Sequence, residues 1–300
     1  MSRSASYQEA TARERLQQLF DADSFEEFLP PSERVVSPHL GQLNAPVAFD
    51  DGVAVGRAKL GGVAVYAAAQ EGGFMGGAVG EVHGAKLVGL LRRALRDRPD
   101  AVVLLAESGG VRLHEANAGL IAVSEVMRAL LDARAAGIPV IALVGGSNGA
   151  FGGMGIVTRC ANVVVMSEEG RLAMSGPEVI ETANGVEEFD SRDRALVWRS
   201  TGGKHRYLMG DCQRIVADDI AAFRGAALDA VSALTGATVE LTLEALEAEQ
   251  QMLEQRIARF GTLPDPVDIW SAMQIPDAAN IPMLDADSFT AVAAKHRMGG

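Results

Sequence analysis

The stretch VGGSNGAFGGMGIV, residues Val144–Val157, decides how this chain reads. An apolar run, IPVIALV (Ile138–Val144), leads into it, and six of the eleven residues Gly145–Gly155 are glycine. Glycine loses more backbone entropy on folding than any other residue, so such a loop is costly to order. A short buried strand, a glycine loop and a following helix form the unit of a mostly parallel sheet with crossover helices. The loop also implies that something lies so close to the backbone that side chains are excluded.

The same unit recurs toward the N-terminus. The strand AVVLLAE (Ala101–Glu107) is followed by SGGVRLHEANAG and then by a helix through Leu120, Val123, Met127, Leu130 and Leu131, with Gly137 as its cap. The strand VAVYAAA (Val63–Ala69) is followed by EGGFMGGAVGEVHGAKL, whose tail becomes a helix through Leu87, Leu90, Leu91 and Leu95. Before it, VAVGRA (Val53–Ala58) and the connector KLGG suggest a hairpin. Toward the C-terminus, ANVVVMS and RLAMS read as two further short strands. Residues 186–228 read as helical and polar, with STGGKHRY (Ser200–Tyr207) as a glycine-bearing turn.

An N-terminal helix is predicted over about residues 8–28, followed by an irregular connection, Leu29–Gly41, marked by Pro30, Pro31 and Pro38. A C-terminal helix is predicted over 240–260 through Leu243, Leu246, Leu253, Ile257 and Phe260. The last forty residues are expected to be an extended tail over a surface. The whole, residues 1–300, is expected to be a single domain.

Composition narrows the partners. With a net charge of −12 and a pI of about 4.9, the chain disfavours nucleic acid and anionic membranes. Cys160 and Cys212 are its only cysteines, which implies no disulfide framework and cannot supply a four-ligand zinc site, so no metal is expected. No signal-type segment and no run of about 18 apolar residues occurs, and the expected location is cytoplasmic. A mean hydropathy of +0.12 with 22% charged residues suggests an apolar face left for a partner chain.

Three glycine loops at strand ends could converge on one pocket, because ligands of open α/β sheets bind outside the carboxyl ends of strands. Neither a G-x-x-x-x-G-K-[ST] phosphate loop nor a G-x-G-x-x-G fingerprint is present. What remains is backbone N–H at glycine turns and helix starts, which can stabilise an oxyanion that forms only during reaction. Side chains are less telling. Ser108, His114 and Glu115 lack the G-x-S-x-G context of a hydrolase nucleophile. Glu107 and Glu115 could act in proton transfer, although single carboxylates near a loop are usually solvated or paired. Lys204, His205 and Arg206 form a basic cluster that is either functional or a solvated turn.

Taken together, FMGGAVGEVHGAK, ESGGVRLHEA, GGSNGAFGG and LAMSGPEVIE resemble, in order, the motifs of the carboxyltransferase β-subunit group of the crotonase superfamily. Within that group, the length, GGSNGAFGGMGIVTRCANVV and STGGKHRYLMGDCQRIVADDI are most similar to β subunits of biotin-independent malonate decarboxylases. Residues 240–300 match the wider group poorly. The chain lacks the four-cysteine zinc ribbon of bacterial acetyl-CoA carboxylase β subunits and a Met-Lys-Met biotin attachment motif. At the third loop it has Phe151-Gly152-Gly153 where the group commonly has Ala-Gly-Gly or Thr-Gly-Gly, which leaves the donor amide open to within a residue.

The resemblance implies a crotonase-like ββα spiral (the ClpP/crotonase fold). It implies decarboxylation of malonyl-S-acyl-carrier to acetyl-S-acyl-carrier and carbon dioxide, through an enolate held by backbone N–H. The implied partners are a homologous γ subunit, an acyl-carrier subunit bearing a phosphoribosyl-dephospho-CoA arm (or CoA), and an acyl-carrier transferase subunit. No cofactor is expected to be covalently bound to this chain. Gly152 and Gly153 are the implied oxyanion donors, with Gly109 and Gly110 shaping the pocket floor. Gly76, Gly77, Ser108, His114, Phe151 and Lys204 are the implied substrate-binding residues. The alternative is a carboxyltransferase subunit of a biotin-dependent acyl-CoA carboxylase or decarboxylase. A free-standing acyl-CoA hydratase or isomerase and a non-catalytic scaffold are further readings.

Overall fold

A computed structural model describes residues 5–236 and 242–298. In chain order the elements are α1 (Ala12–Leu19), β1 (Glu26–Glu27), β2 (Val53–Leu60), β3 (Val63–Gln70), α2 (Glu81–Asp97), β4 (Ala101–Ala106), α3 (Asn117–Ala135), β5 (Val140–Val144), α4 (Gly152–Arg159) and β6 (Val163–Ser167). They continue with α5 (Pro177–Asn184), α6 (Arg194–Thr201), α7 (Gly203–Leu208), β7 (Arg214–Val216), α8 (Ile220–Leu234), α9 (Leu243–Phe260), α10 (Pro266–Ala272) and α11 (Ala286–Ala293).

The seven strands form one sheet in chain order, antiparallel from β1 to β3 and parallel from β3 to β7. The expected mostly parallel sheet with crossover helices is present. Beyond the strand ends runs a second, shorter row of pairings: Val79 with Val111, Ser108 with Ala150, and Ala150 with Leu172. Each turn of the chain thus contributes a long strand, a short bridging segment and a helix, which is the ββα repeat of a spiral.

Alternation along the parallel strands divides the core. Val102, Leu104 and Ala106 of β4 face α2, α3 and α4, whereas Ala101, Val103 and Leu105 face α1 and α8. Both faces are covered, so the strands read as unbroken apolar runs. The hairpin turn is Gly61–Gly62, both at positive φ, as a two-residue turn between right-twisted strands requires.

Several expectations are corrected. The N-terminal helix is α1 alone, started by a capping box between Thr11 and Glu14. It stops at Leu19 because the next segment is recruited elsewhere: Asp21 accepts from the N–H groups of Gly61 and Gly62, and Glu26–Glu27 pairs with β2. In α3 the buried stripe is Val123, Val126 and Leu130, while Leu120 is 58% exposed. RLAMS is not a strand; only isolated bridges involve Arg171 and Leu172. STGGKHRY is not a turn but the junction of α6 and α7, where Gly202 is pressed against Trp198 O and Gly203 against Ser167 O.

The C-terminal helix forms as α9, although residues 240 and 241 of the expected span lie outside the described residues. The expected extended tail is instead helical. Trp270, Ile275, Ile281 and Phe289 pack with Tyr207 and Leu208 into a third core. No helix among the described residues is long and apolar enough to cross a membrane.

Candidate functional site

The loops after β3, β4 and β5 lie side by side and are stitched through backbone hydrogen bonds. Gly109 N–H donates to Gly76 O (2.8 Å), Val79 N–H to Gly110 O (2.9 Å), Ser108 N–H to Gly149 O (2.7 Å) and Phe151 N–H to Ser108 O (2.8 Å). Gly110 and Gly152 meet closely, since a Cβ on Gly152 would lie 3.1 Å from Gly110 Cα. The three loops therefore lie together at one edge of the sheet.

Two buried ionic clusters pin this terrace from below. Glu107, at the end of β4, pairs with Arg15 of α1, and both are almost fully buried. The Glu107 carboxylate also accepts from Ser147 Oγ, Asn148 N and Asn148 Nδ2 at 3.1–3.2 Å. In the second cluster, Arg112 Nη1 donates to Asp51 (3.0 Å) and Glu115 (3.2 Å), and Glu115 accepts from Glu81 N–H (3.0 Å) and from Ser37 Oγ. Burial raises the Asp51 carboxyl, with Arg112 opposing. Burial and the nearby Arg112 push His83 down to about 3. Its Nδ1 lies 3.1 Å from Asp51 O and its Nε2 lies 3.0 Å from Gln70 Nε2, which suits a neutral ring protonated at Nδ1.

These clusters explain several of the glycines, and other close neighbours explain more. A Cβ on Gly72 or Gly146 would overlap the Glu107 carboxylate, and one on Gly77 its backbone carbonyl. A Cβ on Gly145 would lie 2.7 Å from the rings of Phe223 and Tyr7, and one on Gly155 would overlap Ala173 O. The close neighbour excluding side chains from these positions is the protein itself. Gly109 is different: it is exposed, and a Cβ there would meet nothing nearer than Gly76 O at 3.5 Å.

The amides named from the sequence divide three to one. Gly109 N–H is taken by Gly76 O, Gly110 N–H by Ser108 Oγ (3.1 Å), and Gly152 N–H by Met174 O (2.9 Å). These three amides are engaged within the protein, which corrects the expectation that Gly152 offers a free donor. Gly153 is the second residue of α4 and half-buried, and among the described residues neither its N–H nor that of Met154 has an acceptor. Every helix start leaves such donors. Here the N-cap residue is Phe151, which has no side-chain acceptor, so the donors stay open at the positive end of the helix dipole.

The other named residues separate from the terrace surface. Ser108 is fully buried and spends its hydroxyl on the Gly110 turn. Phe151 is buried, with the Arg171 guanidinium 5.6 Å from its ring centre. Neither lies open to a substrate. Gly77 is buried, Gly76 is half-buried at φ 63°, and His114 is exposed on the short turn after β4. Lys204 is not at the terrace. Its Nζ pairs with Glu168 (2.7 Å) and donates to the carbonyls of Pro282 (3.0 Å) and Leu284, latching the C-terminal segment to the end of β6.

Lys204 instead borders a cavity of about 330 Å³ together with Glu169, Trp198, Arg199, His205 and Trp270. Trp270 Nε1–H donates to His205 Nδ1 (3.3 Å), so the ring carries its proton on Nε2, and burial pushes its pKa down to about 3. Glu169 is held above the usual carboxylate range by burial, with Asp218 and Glu168 adding to the effect. An open groove lined by Ser147, Arg171, Arg194 and Trp198 adjoins this cavity along Glu169 and Trp198. Sequence reading missed Arg15, Asp51, Trp198 and Trp270, because their roles depend on partners 50 or more residues away in most cases and no local spacing marks them.

The carboxyl transferase domain matches residues 5–252. The malonyl-S-ACP:biotin-protein carboxyltransferase of Malonomonas rubra is 46% identical over 233 residues, covering 73% of each chain. A chain of the Pseudomonas malonate decarboxylase hetero-tetramer, solved in complex with malonate, superposes with a TM-score of 0.81 at 37% identity, covering 90% of this chain and 98% of that one. A chain of the Pseudomonas malonate decarboxylase hetero-dimer superposes with a TM-score of 0.65 at 35% identity, covering 83% and 96%.

Proposed function

Because the chain belongs to the carboxyl transferase domain family, whose members act on carboxyl groups, we propose that it is the β subunit of a malonate decarboxylase. In this reading it works with a γ subunit on malonyl-S-acyl-carrier, and a third subunit exchanges acetyl for malonyl on the carrier. The arm of the carrier, of the phosphoribosyl-dephospho-CoA type or CoA, lies along the strand-end terrace. The observation that carries the reading is the open N–H of Gly153 at the start of α4, set in a floor of bare backbone.

The chemistry needs little else. The bond from the α carbon to the carboxylate breaks and carbon dioxide leaves. The electron pair passes onto the thioester oxygen as an enolate, and the α carbon then takes up one proton to give the acetyl thioester. Rate is gained by binding the enolate better than the ground-state carbonyl. One positioned donor is worth roughly 3–4 kcal/mol where such donors have been removed. The Gly153 amide, aided by the α4 dipole, is the donor in this reading.

The test is purification with and without the γ subunit, assayed on malonyl-S-acyl-carrier in the presence and absence of avidin. Turnover only with the γ subunit, indifferent to avidin, is expected. The identity to the Malonomonas protein favours a second reading, a biotin-dependent carboxyltransferase subunit. Loss of turnover on adding avidin would select it.

A further inference from the structure

The helix α9 carries a heptad seam that the described chain covers only at its last position, Phe260. Leu243, Leu246, Gln250, Leu253, Ile257 and Phe260 alternate at three- and four-residue steps, the a and d spacing of a coiled coil. At 3.6 residues per turn they share one arc of roughly 100°. Yet Phe260 is the only buried residue of the helix. Leu243, Leu246, Leu253 and Ile257 are 66%, 55%, 38% and 73% exposed. The chain's own C-terminal segment packs on α7 instead and leaves the seam open.

The flanks of the seam are unequal. On one side Arg256 pairs with Asp211 (2.9 Å) and Glu249 lies 3.7 Å from Arg159, so this edge is tied to the body of the protein. On the other side Glu247 and Glu254 face outward and take part in no ion pair among the described residues. A second copy of α9 is a poor occupant. In a parallel pair Glu249 would meet Glu254 of the other copy; in an antiparallel pair Glu247 and Glu254 would meet each other, while Glu249 and Arg256, which would otherwise pair across it, are held on the body side by Arg159 and Asp211. Acidic flanks likewise disfavour an anionic membrane surface.

We propose that α9 is a docking helix for an amphipathic helix of another protein chain, one with apolar a and d positions and lysine or arginine facing Glu247 and Glu254. The occupant follows from apolar complementarity at the seam and charge complementarity at its free edge. Gln250, a polar residue in an a position, donates from Nε2 to Glu254 Oε1 (3.0 Å), so this polar pair, with one Glu254 oxygen left over, is what a polar residue in the facing layer would meet. The proposal is independent of the reaction assigned above.

The test uses the full chain and two synthetic helical peptides of about four heptads with the same leucine and isoleucine seam, one with lysine and one with glutamate at e and g. Binding is measured by fluorescence anisotropy, with sedimentation velocity on the chain alone. The lysine peptide is expected to bind about tenfold more tightly than the glutamate peptide. Glu247→Lys with Glu254→Lys should reverse that order, and Leu246→Ala with Ile257→Ala should abolish binding of both. All four positions are exposed, so circular dichroism and thermal midpoint should stay unchanged. Equal binding of both peptides would overturn the proposal, as would binding of neither, recruitment of the chain to anionic vesicles, or self-association lost in Leu246→Ala/Ile257→Ala.

Discussion

The terrace at the ends of β3, β4 and β5 and the cavity at the end of β6 occupy the same edge of one sheet, yet they are built oppositely. The terrace shows backbone and hides its charges: Glu107, Arg15, Asp51, Arg112 and Glu115 are all buried beneath glycine loops. The cavity shows side chains: Trp198, Trp270, His205 and Glu169 line it, and its glycines serve only to join α6 to α7. A glycine-rich sequence can thus mark a place where the protein approaches itself. The backbone left unspent among the described loops is Gly153 N–H rather than the whole loop, which is why the reading proposed above places the donor there.

The largest effect should come from the buried pair under the terrace. Arg15→Met leaves Glu107 charged and uncompensated, at a cost of about 3–5 kcal/mol. Denaturant unfolding should show that loss, while the conservative pair Arg15→Met with Glu107→Gln should recover much of it. An Arg15→Met protein with unchanged midpoint would mean that the terrace does not depend on this pair.

Next is the open amide. A Cβ at Gly153 would lie 2.6 Å from Val123 Cγ1, so both alanine and proline should be introduced with Val123→Ala to clear space. Both variants then carry a Cβ, and only proline lacks the N–H. Proline is otherwise tolerated in a first helical turn. The proline variant should turn over roughly 10²–10³ more slowly than the alanine variant, in kcat more than KM. Equal turnover in correctly assembled samples would remove Gly153 from the reaction.

Acid should report on the cavity. His205 is held neutral to about pH 3 when folded and regains its ordinary value near 6.5 when unfolded. Between those values the unfolded chain binds the extra proton, so stability falls as pH falls, by ~1.4 kcal/mol per pH unit for this residue. His205→Gln should lessen the loss between pH 6.5 and 5 by about 2 kcal/mol. His83, under the terrace, behaves with the same sign and is an internal control. A slope unaffected by His205→Gln would mean that His205 is not held neutral in the cavity.

The smallest effect is expected at Lys204. Lys204→Met removes the latch on the Pro282 and Leu284 carbonyls and should cost about 1–2 kcal/mol, read as faster proteolysis of the C-terminal segment. Turnover should stay within a few fold of the unaltered protein. A collapse of kcat with stability intact would move the reaction from the terrace to the cavity.

Much of the order of elements was legible. The parallel strands are continuous apolar runs because both faces are covered, and the glycine pairs after β3, β4 and β5 mark loops at one edge. What misled were segments whose local preference lost to a distant partner. Residues 20–28 have helical character, but Asp21 is claimed by the turn at Gly61 and Gly62 and Glu26–Glu27 by β2. Leu120 has the right helical spacing but points away from the sheet. The Pro-rich tail hid a helical core because Trp270 and Phe289 find their partners on α7.

The repeat of strand, glycine loop and helix is written in the residues themselves, since periodicity and glycine content are local properties that the backbone must obey. Which amide stays free is settled by packing. Whether Gly152 or Gly153 keeps its N–H depends on Met174 O, twenty-two positions beyond Gly152 along the chain, and a hydrogen bond across that distance leaves no mark on the spacing of the residues that make it.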